Sequence, residues 1–250
     1  MLILIIGLYI VLGLFEIKFP AEQGQSFSGK VRNIGHTLLL FIIGNSVVIT
    51  LLLLLPIHSR QLDSHGIFFS LFILVLYVFL IDLLFYWYHR AEHYFKVLWP
   101  IHELHHSEAK LNVTSGMRSY WLERPLQTFL ILVPLNYVIG IDTTAAIILP
   151  FILSGWLLFT HANLKLRFGF LTPIITGPQL HRIHHSNLSQ HAEKNFAQFF
   201  PVIDIIFGTY YKPLRDEFPS TGTPGMASDM SIRKTFTRPF YTWITMIKKK

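Results

Sequence analysis

The chain has 250 residues, of which 52% are hydrophobic and 14% are charged, whereas soluble domains usually carry about 25% charged residues. With a mean hydropathy of +0.45 and a formal net charge of +7, this composition argues against a soluble globular protein and against a disordered chain. The absence of cysteine excludes disulfides, thiolate zinc sites and thiol catalysis, and the 13 histidines are the unusual feature that remains.

Long apolar runs predict an all-α, integral-membrane helical bundle with about four to five membrane-embedded helices. A spanning helix needs roughly 20 apolar residues. The last run is interrupted around Gly140, so we interpret it as a hairpin. The predicted spans, within a single membrane domain of residues 1–250, are about 2–19, 35–56, 67–88 and the hairpin 125–160.

The remaining residues are predicted to form a cap and a tail. Segments 89–124 and 161–212 are interpreted as a cytoplasmic helical cap that carries most of the histidines. Residues 213–250 are predicted to be an interfacial tail, because aromatic and aliphatic residues alternate with basic ones toward its end. The first part of that tail, 213–231, is rich in Pro, Gly and Ser and is expected to be a mobile linker.

The distribution of Lys and Arg predicts the orientation in the membrane. If the N-terminus lies outside, Arg60 is the only basic residue in the outer segments, and the other 20 of the 21 Lys and Arg face the cytoplasm. We therefore expect a multi-pass protein with a cytoplasmic histidine-rich face, in a bacterial inner membrane or the endoplasmic reticulum. The basic residues are dispersed along the chain, which argues against a nucleic-acid partner.

Nine of the 13 histidines fall in four groups on the predicted cytoplasmic face. Side chains at positions i, i+3 and i+4 share one face of a helix, so each group directs its imidazoles the same way. Neutral imidazole suits iron, zinc, copper or nickel. The predicted ligands are His89, His93, His102, His105, His106, His161, His181, His184 and His185. Of the others, His36, His58 and His65 are expected to be structural or interfacial, and His191 is scattered.

The number of histidines favours two metal ions, because a tetrahedral zinc site takes four ligands and a catalytic one takes three. Two other interpretations stay open. The sequence His102-Glu103-Leu104-His105-His106 also satisfies the H-E-x-x-H pattern of a membrane zinc metalloprotease, with Glu103 as general base. That interpretation leaves the other histidine groups without a role. A non-enzymatic metal-binding membrane protein is disfavoured, because two closely matched H-x-x-H-H motifs exceed what metal storage needs.

The motifs in this order resemble those of the fatty acid hydroxylase / sterol desaturase superfamily of integral-membrane oxygenases. The resemblance covers roughly residues 82–210, and its three histidine boxes are specific as a set. The matching segments are 82–93 (DLLFYWYHRAEH), 99–107 (WPIHELHHS), 112–118 (NVTSGMR), 161–164 (HANL), 178–186 (PQLHRIHHS), 194–196 (KNF) and 204–210 (DIIFGTY). One departure is Arg118-Ser-Tyr120-Trp121-Leu-Glu123, where the family pattern often runs Arg-x-His-Pro-x-Glu.

The resemblance implies an O2-dependent di-iron enzyme that hydroxylates or desaturates an unactivated C–H bond of a fatty acyl, sterol or related lipid. The nine histidines would hold two iron ions, with zinc as a possible substitute. Electrons must come from an external donor such as a b-type cytochrome, ferredoxin or reductase, since the chain has no cysteine for an iron–sulfur cluster and no recognisable flavin or nicotinamide fingerprint.

Further polar residues are candidates for orienting the histidines. Asp82 lies near the membrane end of the third span, where a carboxylate is costly and usually functional, so we expect it to accept a hydrogen bond from a histidine. A simple pair with an arginine is the alternative for Asp82. Weaker candidates are Glu92, Glu103, Asn163 and Asn195. We expect the lipid to slide from the bilayer between the spans.

Overall fold

The computed structural model describes residues 2–55, 60–63, 65–226 and 230–248. Throughout these ranges the regular structure is helical, with only isolated β-bridges and no strand. The predicted all-α fold class is therefore confirmed for the described residues. His58 lies outside them.

The N-terminal half consists of three long helices followed by one short helix. Ser26 caps the second helix, because its side chain accepts a hydrogen bond from the backbone N–H of Gly29. The four helices are α1 (Leu2–Lys18), α2 (Phe27–Leu54), α3 (Ile67–Tyr94) and α4 (Trp99–His106).

The C-terminal half contains one long apolar helix, several short ones and a terminal amphipathic helix. These are α5 (Glu123–Gln127), α6 (Val133–Val138), α7 (Thr143–His161), α8 (Pro178–His184), α9 (Val202–Ile206) and α10 (Ile232–Lys248). A π-helical turn at Thr128–Leu132 joins α5 to α6. The carboxylate of Asp142 caps α7 by accepting the backbone N–H groups of Thr144 and Ala145.

Three described helices, α2, α3 and α7, are long and apolar enough to cross a membrane. The 28 residues of α3 extend about 42 Å, whereas the hydrocarbon core is about 30 Å thick. The C-terminal end of α3 can therefore project beyond the bilayer. The predicted span 35–56 begins earlier, at Phe27, and the first arm of the predicted hairpin is broken into α5, the π-helical turn and α6.

Apolar packing between α3 and α7 sets the position of the histidines. Ile73, Tyr77 and Ile81 of α3 belong to one buried cluster with Ala145 and Leu149 of α7. Because the two helices pack together, their C-terminal ends bring the histidines that they carry to the same side of the bundle.

A buried carboxylate ties α1 to this arrangement. Glu16 interrupts the first apolar run and accepts hydrogen bonds from Lys30 Nζ at 2.6 Å, the Val113 N–H at 2.6 Å and the Asn163 N–H at 2.8 Å. The N-terminal helix is thereby fixed to the two loops that flank the histidine-bearing helices.

The first part of the C-terminal tail is fastened to the protein, which differs from the expected mobile linker. Gln179 Nε2 of α8 donates to the carbonyl oxygens of Leu214 and Glu217, and Thr221 Oγ1 donates to the Glu108 carbonyl. These contacts hold residues 213–226 against the cap. The sequence could not show them, because the partners lie 35 or more residues away.

Candidate metal centre

Two short helices carry the two H-x-x-H-H motifs. Both α4 and α8 have a proline in the first turn, Pro100 and Pro178 respectively, where its fixed φ favours helix initiation and its missing N–H costs nothing. Each helix is about two turns long and is buried along its length. The histidines are therefore held in the interior of the cap.

The nine predicted ligands lie in two separate clusters. In each cluster, the ring nitrogens that could bind a metal lie within 4.8 Å of one another. Cluster A consists of His89, His93, His102, His106 and His184, and cluster B consists of His105, His161, His181 and His185.

The two H-x-x-H-H motifs divide their histidines between the clusters in opposite proportions: the first gives two to cluster A and one to cluster B, and the second gives one to cluster A and two to cluster B. In α4, the i, i+4 pair His102 and His106 faces cluster A, while His105 between them faces cluster B. In the second motif, the i, i+4 pair His181 and His185 faces cluster B, while His184 faces cluster A. Each motif therefore divides its histidines between two neighbouring centres.

The remaining ligands come from the ends of two long helices. The pair His89 and His93, one turn apart on α3, completes cluster A, and the last residue of α7, His161, completes cluster B. The expectation from sequence spacing, that the histidines of each group point the same way, holds for His89 and His93 but is wrong for the two H-x-x-H-H motifs, each of which divides its histidines between the clusters.

The Nε2 atoms within each cluster are unusually close. In cluster A, His102 Nε2 lies 3.0 Å from His89 Nε2 and 3.1 Å from His106 Nε2. In cluster B, His161 Nε2 lies 3.1 Å from both His105 Nε2 and His181 Nε2.

The Nδ1 atoms of several of these rings form hydrogen bonds with carbonyl oxygens. His89 Nδ1 lies 2.9 Å from the Phe196 oxygen, and His161 Nδ1 lies 2.7 Å from the Leu157 oxygen. A neutral imidazole has one N–H, and these carbonyls assign it to Nδ1. The Nε2 atoms therefore present lone pairs to each other, an arrangement that a cation between them would stabilise.

The residues present fit metal ions with imidazole ligands. Two nitrogens held about 2.1 Å from one ion at a right angle lie about 3.0 Å apart, which matches the Nε2 separations. His184 Nε2 is buried in cluster A without a hydrogen-bond partner in the described part of the chain. Both clusters consist of nitrogen donors alone, a set typical of iron, zinc, copper or nickel.

Burial favours the neutral form of six of these histidines, which is the form that binds metal. Desolvation lowers the pKa of His105 from its ordinary value to about 3. Desolvation, with neighbouring imidazoles as a smaller cause, lowers the pKa of the other cap histidines well below the ordinary value; these are His102, His106, His181, His184 and His185. Metal affinity therefore does not require displacing protons from these rings at neutral pH.

A pair of buried carboxylates stands behind cluster A. Glu123 Oε1 accepts a hydrogen bond from His102 Nδ1 at 2.6 Å, and Glu92 Oε2 lies 3.4 Å from the same nitrogen. Burial raises the pKa of Glu123. A carboxylate in this position fixes the tautomer of a metal-binding histidine and its ring orientation.

Sequence reasoning missed Glu123 as a partner of a histidine. Glu92 was a candidate, and its position beside His102 agrees with that role. A signal for Glu123 was present, because Arg118 and Glu123 keep the first and last residues of the family pattern Arg-x-His-Pro-x-Glu even though its His and Pro are replaced.

A cavity of about 450 Å³ reaches the histidines from the protein surface. Three imidazoles of cluster A line the cavity, namely those of His93, His106 and His184. From cluster B, the imidazole of His185 lines it. The centre is therefore accessible to a molecule larger than O2, mainly from the side of cluster A.

A family model described as fatty acid hydroxylase matches residues 74–209, which is more than half of the chain. The chain belongs to the fatty acid hydroxylase family. All nine clustered histidines lie within the matched range. No solved structure matches the chain.

Relatives of this fatty acid hydroxylase family member include lipid-modifying enzymes. The chain is 30% identical to the ornithine lipid hydroxylase OlsE of Rhizobium tropici over 55% of its own length and 41% of the relative. It is 28% identical to alkylglycerol monooxygenase of Danio rerio over 52% of its own length and 28% of the length of that relative. It is 27% identical to a Delta(7)-sterol 5(6)-desaturase of Gibberella zeae over 63% of its own length and 43% of the length of that relative. The chain thus spans less than half the length of these relatives.

Glu103 does not face the metal clusters, which contradicts the metalloprotease interpretation. Its two carboxylate oxygens accept hydrogen bonds at 2.7 Å from Arg238 Nε and Nη2 on α10. A general base beside a zinc bound by His102 and His106 would have to point the other way. Glu103 instead fastens the C-terminal helix to α4, and the expectation that it orients a histidine is wrong.

Asp82 also differs from expectation, because it binds backbone rather than a histidine or an arginine. Its carboxylate accepts the N–H groups of Gln198, Phe199 and Phe200, at 2.7, 3.0 and 2.7 Å. Since the carbonyl of the nearby Phe196 accepts His89 Nδ1, Asp82 supports cluster A through the loop and not directly.

Asn195 likewise acts through the backbone. Its side chain pairs with the main chain of Tyr211, accepting the N–H at 2.8 Å and donating to the carbonyl at 3.2 Å. Its neighbours Lys194 and Phe196 supply the carbonyl oxygens that accept His184 Nδ1 and His89 Nδ1. Asn195 has a φ of +58°, a left-handed conformation that asparagine tolerates well.

Asn163 fixes the segment between α1 and α2. Its Oδ1 accepts the Glu22 N–H at 3.0 Å and Arg182 Nη1 at 3.2 Å, and its Nδ2 donates to the Glu22 carbonyl. This role is structural and differs from the expected support of a histidine.

The described histidines outside the clusters have ordinary packing roles. His36 lies 3.3 Å from Thr235 Oγ1, and the ring of His65 contacts Phe69 edge-on. His191 lies between Ser186 Oγ and Glu217 Oε1. The expectation of structural roles for His36 and His65 agrees with these contacts.

Proposed function

We propose that this chain is an O2-dependent, lipid-modifying oxidoreductase in which clusters A and B each hold one iron ion. The observation that carries the proposal is the pair of adjacent all-histidine clusters. The rings of His106 and His185, one from each cluster, stack with centroids 4.2 Å apart, so the two sets of ligands adjoin each other.

The reaction is hydroxylation, or alternatively desaturation, of an unactivated C–H bond of a fatty acyl, sterol or related lipid. The printed names of the ornithine lipid and alkylglycerol enzymes support hydroxylation, and that of the sterol enzyme supports desaturation. Hydroxylation of one C–H bond uses one O2, two electrons and two protons, and yields an alcohol and water. The bound iron pair would supply O2 activation and the oxidising power.

The residues of the chain supply binding, orientation and exclusion of water. The carboxylate of Glu123 and the carbonyls of Phe196, Lys194 and Leu157 fix ring orientations in advance. Most of the clustered histidines are buried, and the cavity described above is a route by which water can reach them. A substrate filling that cavity would exclude water from the reacting carbon.

Electrons are proposed to come from an external b-type cytochrome, ferredoxin or reductase. The basic cytoplasmic face of the +7 chain would suit an acidic donor. Donor-supported turnover is then expected to rise as salt is lowered. A loss of turnover at low salt would count against this pairing.

The proposed setting is a bacterial inner membrane or the endoplasmic reticulum, with the N-terminus outside and the clusters on the cytoplasmic side. The excess of Lys and Arg on that side supports this orientation. Zinc could occupy the same nitrogens, but it has no redox chemistry, so we propose iron as the functional metal.

The test is a comparison of lipid extracts from cells with and without the gene, grown with iron. We expect lipid species that gain one oxygen atom or lose two hydrogens. We expect them to disappear in His105→Ala and to decrease in His184→Ala, since cluster A keeps four histidines in the second variant. The control is His65→Ala, a variant of a histidine that contacts Phe69 outside both clusters. An unchanged lipid profile, or product formation by both cluster variants, would overturn the proposal.

A further inference from the structure

The mouth of the cavity lies between two surfaces of opposite character. On one side, the opening is lined by Lys96 of the segment between α3 and α4, by Trp99 at the start of α4 and by Met246 of α10. On the other side, the lining comes from residues 186–193. The exposed residues of that second side are largely polar, and we call Asn187, Ser189 and Glu193 the polar rim.

The first side carries exposed apolar side chains on two adjoining segments. Tyr94, Phe95 and Val97 flank Lys96, and Tyr94 is 76% exposed. On α10, Tyr241 is 71% and Ile247 is 75% exposed. Together with Ile244, these residues form what we call the apolar rim.

A hydrogen bond joins the two segments of the apolar rim into one surface. Trp243 Nε1 on α10 donates to the Val97 carbonyl at 2.8 Å. The opposite face of α10 is held to the cap by the Glu103–Arg238 pair and by Tyr120 Oη, which donates to the Phe236 carbonyl at 2.9 Å. The exposed apolar face is therefore fixed outward.

The charge of α10 indicates what covers this face. The helix carries Arg233, Lys234, Arg238 and Lys248, and it has no acidic residue. Lys96 adds a further cation at the mouth. Apolar side chains beside cations are typical of helices that lie at the surface of an anionic bilayer.

We propose that the apolar rim is a membrane-docking surface, and that it is buried in the headgroup layer of an anionic bilayer. The polar rim then faces water, and the cavity mouth opens at the boundary between membrane and water. If the proposed lipid oxidation is correct, a lipid could reach the histidines through this mouth without crossing water. This route differs from passage between the spans.

The experiment uses the absence of cysteine, because single-cysteine variants of the full chain can be labelled without other changes. An NBD fluorophore is attached at Ile244→Cys or Ile247→Cys on the apolar rim, and at Asn187→Cys or Ser189→Cys on the polar rim. The iron-loaded protein is placed in bilayers of phosphatidylcholine and phosphatidylglycerol. Quenching is measured with doxyl-labelled lipid and with aqueous iodide.

We expect lipid quenching to be several-fold stronger, and iodide quenching several-fold weaker, on the apolar rim than on the polar rim. Equal iodide quenching on both rims would overturn the proposal, because the apolar rim would then be in water. Protection of the apolar rim from both quenchers would also overturn it, since a protein and not lipid would cover the surface. This test does not depend on turnover, so its failure is distinct from a failure of the proposed function.

Discussion

Clusters A and B are adjacent, but their surroundings differ. Cluster A has five histidines, a carboxylate pair behind His102 and three imidazoles on the cavity. Cluster B has four histidines. Two of them donate hydrogen bonds to backbone carbonyls: His161 to the carbonyl of Leu157, and His105 to the carbonyl of Arg118. Only His185 of cluster B lines the described cavity.

The difference indicates a division of labour within one centre. A site that faces substrate must tolerate changes in its ligands, and a fifth histidine gives cluster A that reserve. Cluster B has four histidines and no such reserve. We therefore expect cluster B to be the more sensitive to the loss of a single histidine.

The largest expected effect is the loss of one ligand from each cluster. His105→Ala leaves cluster B with three histidines and is expected to lose about one metal ion per chain and all detectable turnover. His93→Ala leaves cluster A with four and is expected to retain both ions with reduced turnover. Metal analysis and product yield measure the two effects. Equal metal loss in both variants would remove the distinction between the clusters.

Replacement of the carboxyl group behind cluster A is expected to have the next largest effect. Glu123→Gln exchanges the carboxyl partner of His102 Nδ1 for an amide, so metal affinity or turnover is expected to fall about 10–100-fold. Glu103→Gln is the matched control, because that buried carboxylate binds Arg238 instead. If Glu103→Gln abolished activity while Glu123→Gln did not, the role of Glu103 as a base would have to be reconsidered.

Asp82 supports cluster A indirectly, by binding the backbone of the loop that contacts His89, and a substitution of Asp82 can test this role. Asp82→Asn removes a charged acceptor shared by three N–H groups, and unfolding is expected to become easier by about 2 kcal/mol. Asp63→Asn, at an exposed position, is the control. Thermal unfolding in detergent measures both variants, and an unchanged Tm for Asp82→Asn would contradict this support.

The smallest effect is expected at the cavity mouth. Met246→Trp narrows the opening to cluster A and is expected to lower kcat/KM for a bilayer lipid several-fold, with metal content unchanged. Thr237→Trp changes an exposed position of the same helix outside both the cavity lining and the apolar rim, so its turnover should stay close to that of the unaltered protein. Equal turnover in the two variants would show that substrate uses another route.

The sequence was sufficient to predict the helical class, the apolar helices and the nine clustered histidines. Helical spacing shows which histidines share a face, and His102 and His106 do share one. It does not show that His105 turns to a second centre, because that depends on how α4 packs against α7 and α8. The family resemblance could have indicated Glu123, since this residue keeps the final Glu of the pattern from which the Arg118 segment otherwise departs.

Other features depended on contacts between distant residues. The partners of Asp82 lie 116 to 118 residues along the chain, and Arg238 lies 135 residues from Glu103. Neither pairing has a local sequence signal. The expected linker is held by hydrogen bonds of its carbonyl groups, which composition does not report.

The most direct test of the account is the number of metal ions per chain in protein purified from iron-supplemented cells, combined with their ligands by X-ray absorption. We predict two ions per chain with nitrogen from histidine as the protein ligand. A single ion per chain that persists after reconstitution with excess Fe(II) would contradict the two-cluster centre.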